Sequence, residues 1–142
     1  MSGRGLVAAQ FALIAWLIWP LTPQAWLPPA LILLAAAAAL GIWTLVHNRP
    51  GNFNIRPEPK ATGRLITGGP YRYLRHPMYG ALLLFCAAEV VAYADARKLA
   101  ALALMVLVLW LKSTQEEQGL RAKFPEYADY AARVRRFIPW LI

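Results

Sequence analysis

The sequence predicts an all-α, polytopic integral membrane protein with four transmembrane helices, and three observations predict it. Of 142 residues, 59% are hydrophobic and 15% charged, against roughly a quarter charged in an average soluble domain. Residues 5–48 contain no Asp, Glu, Lys or Arg. Fifteen Lys and Arg against seven Asp and Glu give a net charge of +8, and nearly all of that charge lies in two segments. A soluble chain this small cannot hide so much apolar surface, so the excess faces lipid. The length allows one domain, residues 1–142. Cys86 is the one cysteine, which excludes an internal disulfide framework and a Cys-based zinc cluster. No metal-ligand spacing stands out elsewhere.

A membrane helix needs about 20 residues, so the uncharged run suits two spans, residues 6–21 and 29–46. Pro20, Pro23, Pro28 and Pro29 mark the turn between them, because proline breaks the helical hydrogen-bond ladder. Trp16, Trp19 and Trp26 cluster at that turn as an interfacial belt. A cleavable signal is disfavoured, since no small-x-small site follows the first apolar run and a second run comes straight after. The third and fourth spans are residues 78–94 and 99–111, separated by Asp95, Ala96, Arg97 and Lys98. Both are short enough to imply tilt or local thinning of the bilayer. Ala35–Ala39 suits close helix packing.

Between spans two and three lies a polar loop, residues 48–77, and a polar tail runs from 112 to 142. Four spans put the N-terminus, the loop and the tail on one side. Arg4, six loop residues and six tail residues are basic, whereas Arg97 and Lys98 fall on the other side. This asymmetry makes the loop and both termini cytoplasmic by the positive-inside rule. The charge then needs no nucleic-acid partner.

Two segments carry candidate chemistry. In the loop, Gly63, Gly68 and Gly69 precede PYRYLRHPMYG (residues 70–80). Pro77 suits the first position of a helix, placing Arg75 and His76 at its N-terminus beside unpaired N–H groups. That is either an anion site or an anchor to lipid phosphate. The tail has apolar residues at Leu120, Phe124, Tyr127, Ala131, Val134 and Ile138, a helical stripe interrupted where Pro125 restarts the helix. A helix lying on the membrane explains the stripe and Arg133, Arg135 and Arg136. It does not explain the adjacent carboxylates Glu116 and Glu117, which can accept hydrogen bonds from a ligand's hydroxyl or ammonium groups; pairing of Glu116 with Lys112 is the structural alternative. Glu89, deep in the third span, is assigned to helix pairing or snorkelling, Cys86 to the core, and His47 to capping the second helix.

GPYRYLRHPMYG, followed by the tail's Glu pair, Leu, Phe, Glu-Tyr, Tyr, Val, Arg-Phe and Pro in that order, resembles the isoprenylcysteine carboxyl methyltransferase and phospholipid methyltransferase families. The resemblance covers residue 52 to the C-terminus. It implies an integral-membrane enzyme that uses S-adenosylmethionine on a lipid or lipid-linked acceptor, in a cytoplasmic membrane of bacterial type. It carries a cofactor pocket over to Arg75, His76, Pro77, Tyr79, Glu116 and Glu117, to which Tyr71 adds an aromatic contact. A substrate-facing arginine of the isoprenylcysteine enzymes falls on Lys112, a point charge rather than a bidentate fork, so Lys112 and Glu116 are the candidate catalytic residues. His76 is expected as a neutral cofactor donor or a simple helix cap. Rival readings are an NADPH-dependent membrane reductase of sterol-reductase-like architecture and a non-enzymatic scaffold. The acceptor and the oligomeric state stay open.

Overall fold

The computed structural model describes residues 2–19, 28–48 and 64–138. The expected turn around Pro20, Pro23 and Trp26, the loop before Arg64 and residues 139–142 lie outside them. Five α-helices occur among the described residues: α1 Gly3–Ile18, α2 Pro28–His47, α3 Pro77–Tyr93, α4 Ala96–Lys123 and α5 Tyr127–Arg133. A short 3-10 helix, Gly69–Arg72, precedes α3, and the described residues form no strand. Of these helices, α2 alone is long and apolar enough by itself to cross a membrane, while α1 and α3 are shorter apolar helices.

Local chemistry sets most boundaries. Ser2 caps α1 by accepting the Gly5 N–H at 3.2 Å, leaving fewer of the orphan donors at a helix start unpaired. Pro77 opens α3 as the sequence predicts. Ala94 ends α3 in the left-handed region (φ 48°), and Asp95 at once caps α4 by accepting the Arg97 N–H at 2.8 Å. The α3–α4 turn is therefore two residues, tighter than the four expected. The fourth helix is also far longer than expected. It runs unbroken through Lys112, Glu116 and Glu117 and stops before Phe124 and Pro125. Charged side chains end a membrane-buried stretch, but they do not end a helix; only a lost hydrogen-bond partner or a cap does.

The helices pack in the spatial order α2, α3, α4, α1, with α1 also touching α3. Every seventh residue of α2, namely Ala30, Ala37 and Thr44, is buried, and the facing helix offers Gly80, Ala81, Ala88 and Ala92. Such small residues let two backbones approach closely. Ala37 alone of the expected alanine run is buried. On the other side Leu6, Leu13 and Leu17 of α1 meet Cys86, Ala101, Met105 and Leu109 in the main core. Phe11, Ile42, Leu104 and Leu107 point outward, the surface a lipid-facing bundle presents. The tail stripe instead turns inward: Tyr127, Tyr130 and Ala131 form a second small core with Leu65, Leu120, Phe124 and Val134. It packs on protein, correcting the expectation of a helix resting on lipid.

Glu89 and Lys98 form a buried ion pair at 3.2 Å. Lys98 also donates to the carbonyl of Leu17, closing the C-terminal end of α1, and its ammonium lies 3.9 Å from the Tyr93 ring centre. Helix pairing is thus the role of Glu89. Removing one partner of a buried pair strands the other charge, at a cost of about 3–5 kcal/mol. Glu89→Leu should lower the thermal unfolding midpoint in detergent sharply, and Glu89→Leu combined with Lys98→Met should recover more than half of that loss. A double variant as unstable as the two single losses added together would refute the pairing role.

Candidate functional site

The buried stripe of α4 changes character along its length. Ala101, Met105 and Leu109 are apolar; one turn further the same face carries Lys112, Ser113 and Glu117. The helical repeat therefore aims the second carboxylate inward and leaves its neighbour Glu116 half-buried at the rim.

Glu117 collects three basic side chains. Arg75 Nε donates to Oε1 at 3.0 Å, His76 Nε2 lies 3.0 Å from the same oxygen, and Arg136 Nη2 donates to Oε2 at 3.2 Å. Burial alone would push the Glu117 carboxyl up, but hydrogen bonding from His76 and the charges of His76, Arg75 and Arg136 hold it down at about 2. His76 shows the reverse balance. Burial would lower it, yet Glu116 and Glu117 outweigh burial and raise it above its ordinary 6.5. The imidazolium is favoured, which corrects the expectation of a neutral ring; two carboxylates at 3.0 and 3.5 Å outweigh the field of one helix end. Nor does the His76 side chain cap α3. Its ring stacks on Tyr79, centroids 5.3 Å apart and planes 6° from parallel.

The same elements lock the chain's distant parts together. Arg75 Nη1 donates to the carbonyls of Ala131 and, at 2.8 Å, Val134, satisfying the C-terminal end of α5. The Arg75 and His76 N–H groups donate to the carbonyls of Arg135 and Arg136 at 2.7 and 3.1 Å. The backbone just before α3 is thus paired to the tail, while the Tyr79 and Gly80 N–H groups of the first turn donate to the His76 carbonyl. The Tyr130 hydroxyl donates to the Tyr71 carbonyl at 2.7 Å. Burial, then the charge of Glu116, raises the Tyr71 phenol and keeps it a donor.

Glu116 has more room. Its Oε2 accepts the Tyr79 hydroxyl at 3.1 Å and faces His76 Nδ1 at 3.5 Å, and its side chain is 28% exposed. A carboxylate offers about four acceptor sites; three basic side chains occupy those of Glu117, and fewer groups approach Glu116. Lys112 does not pair with Glu116. Its ammonium donates to Gln10 Oε1 of α1 at 2.7 Å and lies 5.2 Å from the Tyr79 ring centre. It is buried, and among the described residues no carboxylate stands within ion-pair distance.

The structure therefore brings Tyr71, Arg75, His76, Pro77, Tyr79, Lys112, Glu116 and Glu117 to one end of the α3–α4 pair. The sequence of the chain, compared with family models, matches phospholipid methyltransferase over residues 30–126. The chain belongs to the phospholipid methyltransferase family. No curated protein matches it. Membership makes methyl transfer at a membrane the kind of activity to expect of the chain, and the match covers most of α2 and all of α3 and α4.

Sequence reasoning missed four residues that the structure brings to or beside this cluster. Arg136 and Phe137 were visible as the tail's Arg-Phe, Arg136 only as part of a basic face towards lipid and Phe137 without a role. Arg136 also donates to Thr114 Oγ1 at 3.1 Å and sits 4.2 Å from the Trp110 ring centre. Gln10 could have been found as a lone amide in the uncharged run. The Tyr127 hydroxyl is buried with no hydrogen-bond partner among the described residues.

The two shifted groups give a pH prediction. Glu117 contributes stability above its ordinary 4.5 and loses it as pH falls towards 2. His76 contributes below 6.5 and loses its contribution as pH rises through its elevated value. Thermal stability in detergent should plateau between pH 4.5 and 6.5 and decline on both sides, and in His76→Gln the alkaline decline should disappear. An unchanged alkaline limb in that variant would refute the charged state of His76.

Proposed function

We propose that the chain is an S-adenosylmethionine-dependent methyltransferase acting on a lipid or lipid-linked acceptor. The observation that carries it is the opposite fate of two adjacent carboxylates. Glu117 is buried and held by three basic side chains as a fixed brace, while Glu116 stands beside it, half-buried at a partly open edge and held by fewer groups. A ligand with an ammonium group and a ribose diol needs such a carboxylate, so the donor set fits that cofactor.

In this reading Glu116 accepts from the cofactor's ammonium or ribose, and Tyr79 and Tyr71 supply ring contact near the cation. His76 holds Glu116 and Glu117 apart at fixed separation. Arg75 and Pro77 set the start of α3 and the position of the tail rather than touching the reacting atoms. When bound, the cofactor supplies a methyl carbon activated by a sulfonium. The protein's work is then alignment and exclusion of water, with little acid–base chemistry. Lys112, a buried cation held by Gln10, orients an anionic group of the acceptor, carboxylate or phosphate. An amine acceptor must lose a proton, and Glu116 is the carboxylate placed to take it.

Four spans, made by α1, α2, α3 and the first half of α4, put this site at the cytoplasmic face, where most basic residues lie. The polar cofactor then arrives from the cytoplasm and the acceptor from the bilayer.

Isothermal calorimetry of the purified protein with S-adenosylhomocysteine tests the reading. Binding is expected, and Glu116→Gln should weaken it about 10- to 100-fold, the worth of one charge-assisted hydrogen bond. Absence of binding by the wild type, or equal binding by Glu116→Gln, would sink it, and heat from NADPH in its place would favour a reductase.

A further inference from the structure

A cavity of about 610 Å³ lies between α2 and α3, at the end of those helices where the polar cluster begins. Leu40 and Trp43 form one wall, Leu83, Leu84 and Ala87 the other, and Phe137 closes it. None of its lining residues is charged. The volume is that of a ligand pocket, yet nothing in the lining can neutralise a phosphate, an ammonium or a carboxylate. A polar head group has no place there; a hydrocarbon chain does.

Phe137 makes this cavity more than a surface groove. Phe137 belongs to the lining of the cavity. Its ring centroid is also 6.0 Å from His76, 6.2 Å from Tyr79 and 6.3 Å from Trp110. The residue is 3% exposed, so it joins the cavity lining to the aromatic cluster at the polar site. Its position is fixed by the preceding residue, whose carbonyl accepts the His76 N–H and whose guanidinium grips Glu117. Gly80 permits the close approach, because a Cβ there would stand 3.0 Å from the Phe137 carbonyl oxygen.

We propose that this cavity holds one hydrocarbon chain of the membrane-lipid acceptor, and that Phe137 is the residue past which the lipid's head is presented to Glu116, Tyr79 and Lys112. The inference rests on the methyl-transfer reading for why the head must reach that cluster. The occupant is a lipid of the surrounding bilayer because the outer face of α2 beside the cavity, Ile42 and Val46, is itself exposed and apolar. A methylene moving from bilayer to cavity passes from one apolar medium to another, so the cavity admits the chain by shape and packing rather than by a hydrophobic gain.

The test uses full-length protein in phosphatidylethanolamine vesicles containing a phosphatidylethanolamine whose acyl chain bears a photoreactive diazirine. After illumination, label should concentrate on Leu83, Leu84, Ala87 and Phe137, above the level on the outward residues Leu104 and Leu107. Ala87→Trp, which fills the cavity, should cut that label tenfold or more while labelling of Leu104 and Leu107 persists; Leu84→Phe serves the same purpose if the tryptophan variant does not fold. Phe137→Ala should extend the label to Tyr79 or Trp110. Even labelling of all outward faces, or undiminished cavity labelling in the filled variants, would overturn the proposal. Calorimetry of the wild type with S-adenosylhomocysteine reads the other claim separately: cavity label without cofactor heat supports the chain site and removes the methyl-transfer reading.

Discussion

The buried carboxylate of Glu117 is the constraint on which the arrangement depends. A carboxylate taken out of water needs hydrogen-bond donors, and here three side chains from two distant places in the chain supply them: the residues before α3 (Arg75 and His76) and the tail (Arg136) meet on α4. Each tie also fixes something else. Arg75 closes α5, His76 stacks on Tyr79, and Arg136 carries Phe137 into the gap between His76, Tyr79 and Trp110. One side chain therefore sets the places of a helix start, a tail and an aromatic ring. Its neighbour, spared that duty, is available to a ligand. Two adjacent acids differ because a helix turns by about 100° per residue, which sends one to the interior and the other to the rim.

Much of this was legible in the sequence where the signal was local. Proline placed the start of α3, the uncharged run gave α1 and α2, and the Glu pair and the Arg-His-Pro-x-Tyr junction marked the residues that assemble. The rest was illegible for identifiable reasons. The length of α4 was masked because Lys112, Glu116 and Glu117 resemble a membrane exit, whereas the helix continues to the break before Pro125. The partners of Arg75 in α5 are backbone carbonyls, which leave no mark in a side-chain pattern. The meeting of Gln10 with Lys112 joins residues at opposite ends of the chain. The charge of His76 followed from two carboxylates that only the fold brings to it.

The candidate site and the apolar cavity meet at adjacent residues of the tail. Charges buried against hydrocarbon are costly, and here Arg136 joins the charged network while Phe137, next in the chain, joins the cavity lining with Leu84 and Ala87. Polar satisfaction and apolar packing thus support each other, since the tail that completes the ion-pair hub is also the tail that walls the cavity.

The unbroken course of α4 has a metric consequence. Lys98 and Glu117 lie on one rod, and nineteen residues at about 1.5 Å each set them about 28 Å apart, close to the roughly 30 Å thickness of a hydrocarbon layer. The helix is in effect a ruler with a buried ionic mark at each end. Its phase matters as much as its length: losing or gaining one residue between the marks would rotate one end about 100° against the other. The two marks are therefore coupled in phase as well as in distance, and a one-residue insertion or deletion between them would break the fit of one end.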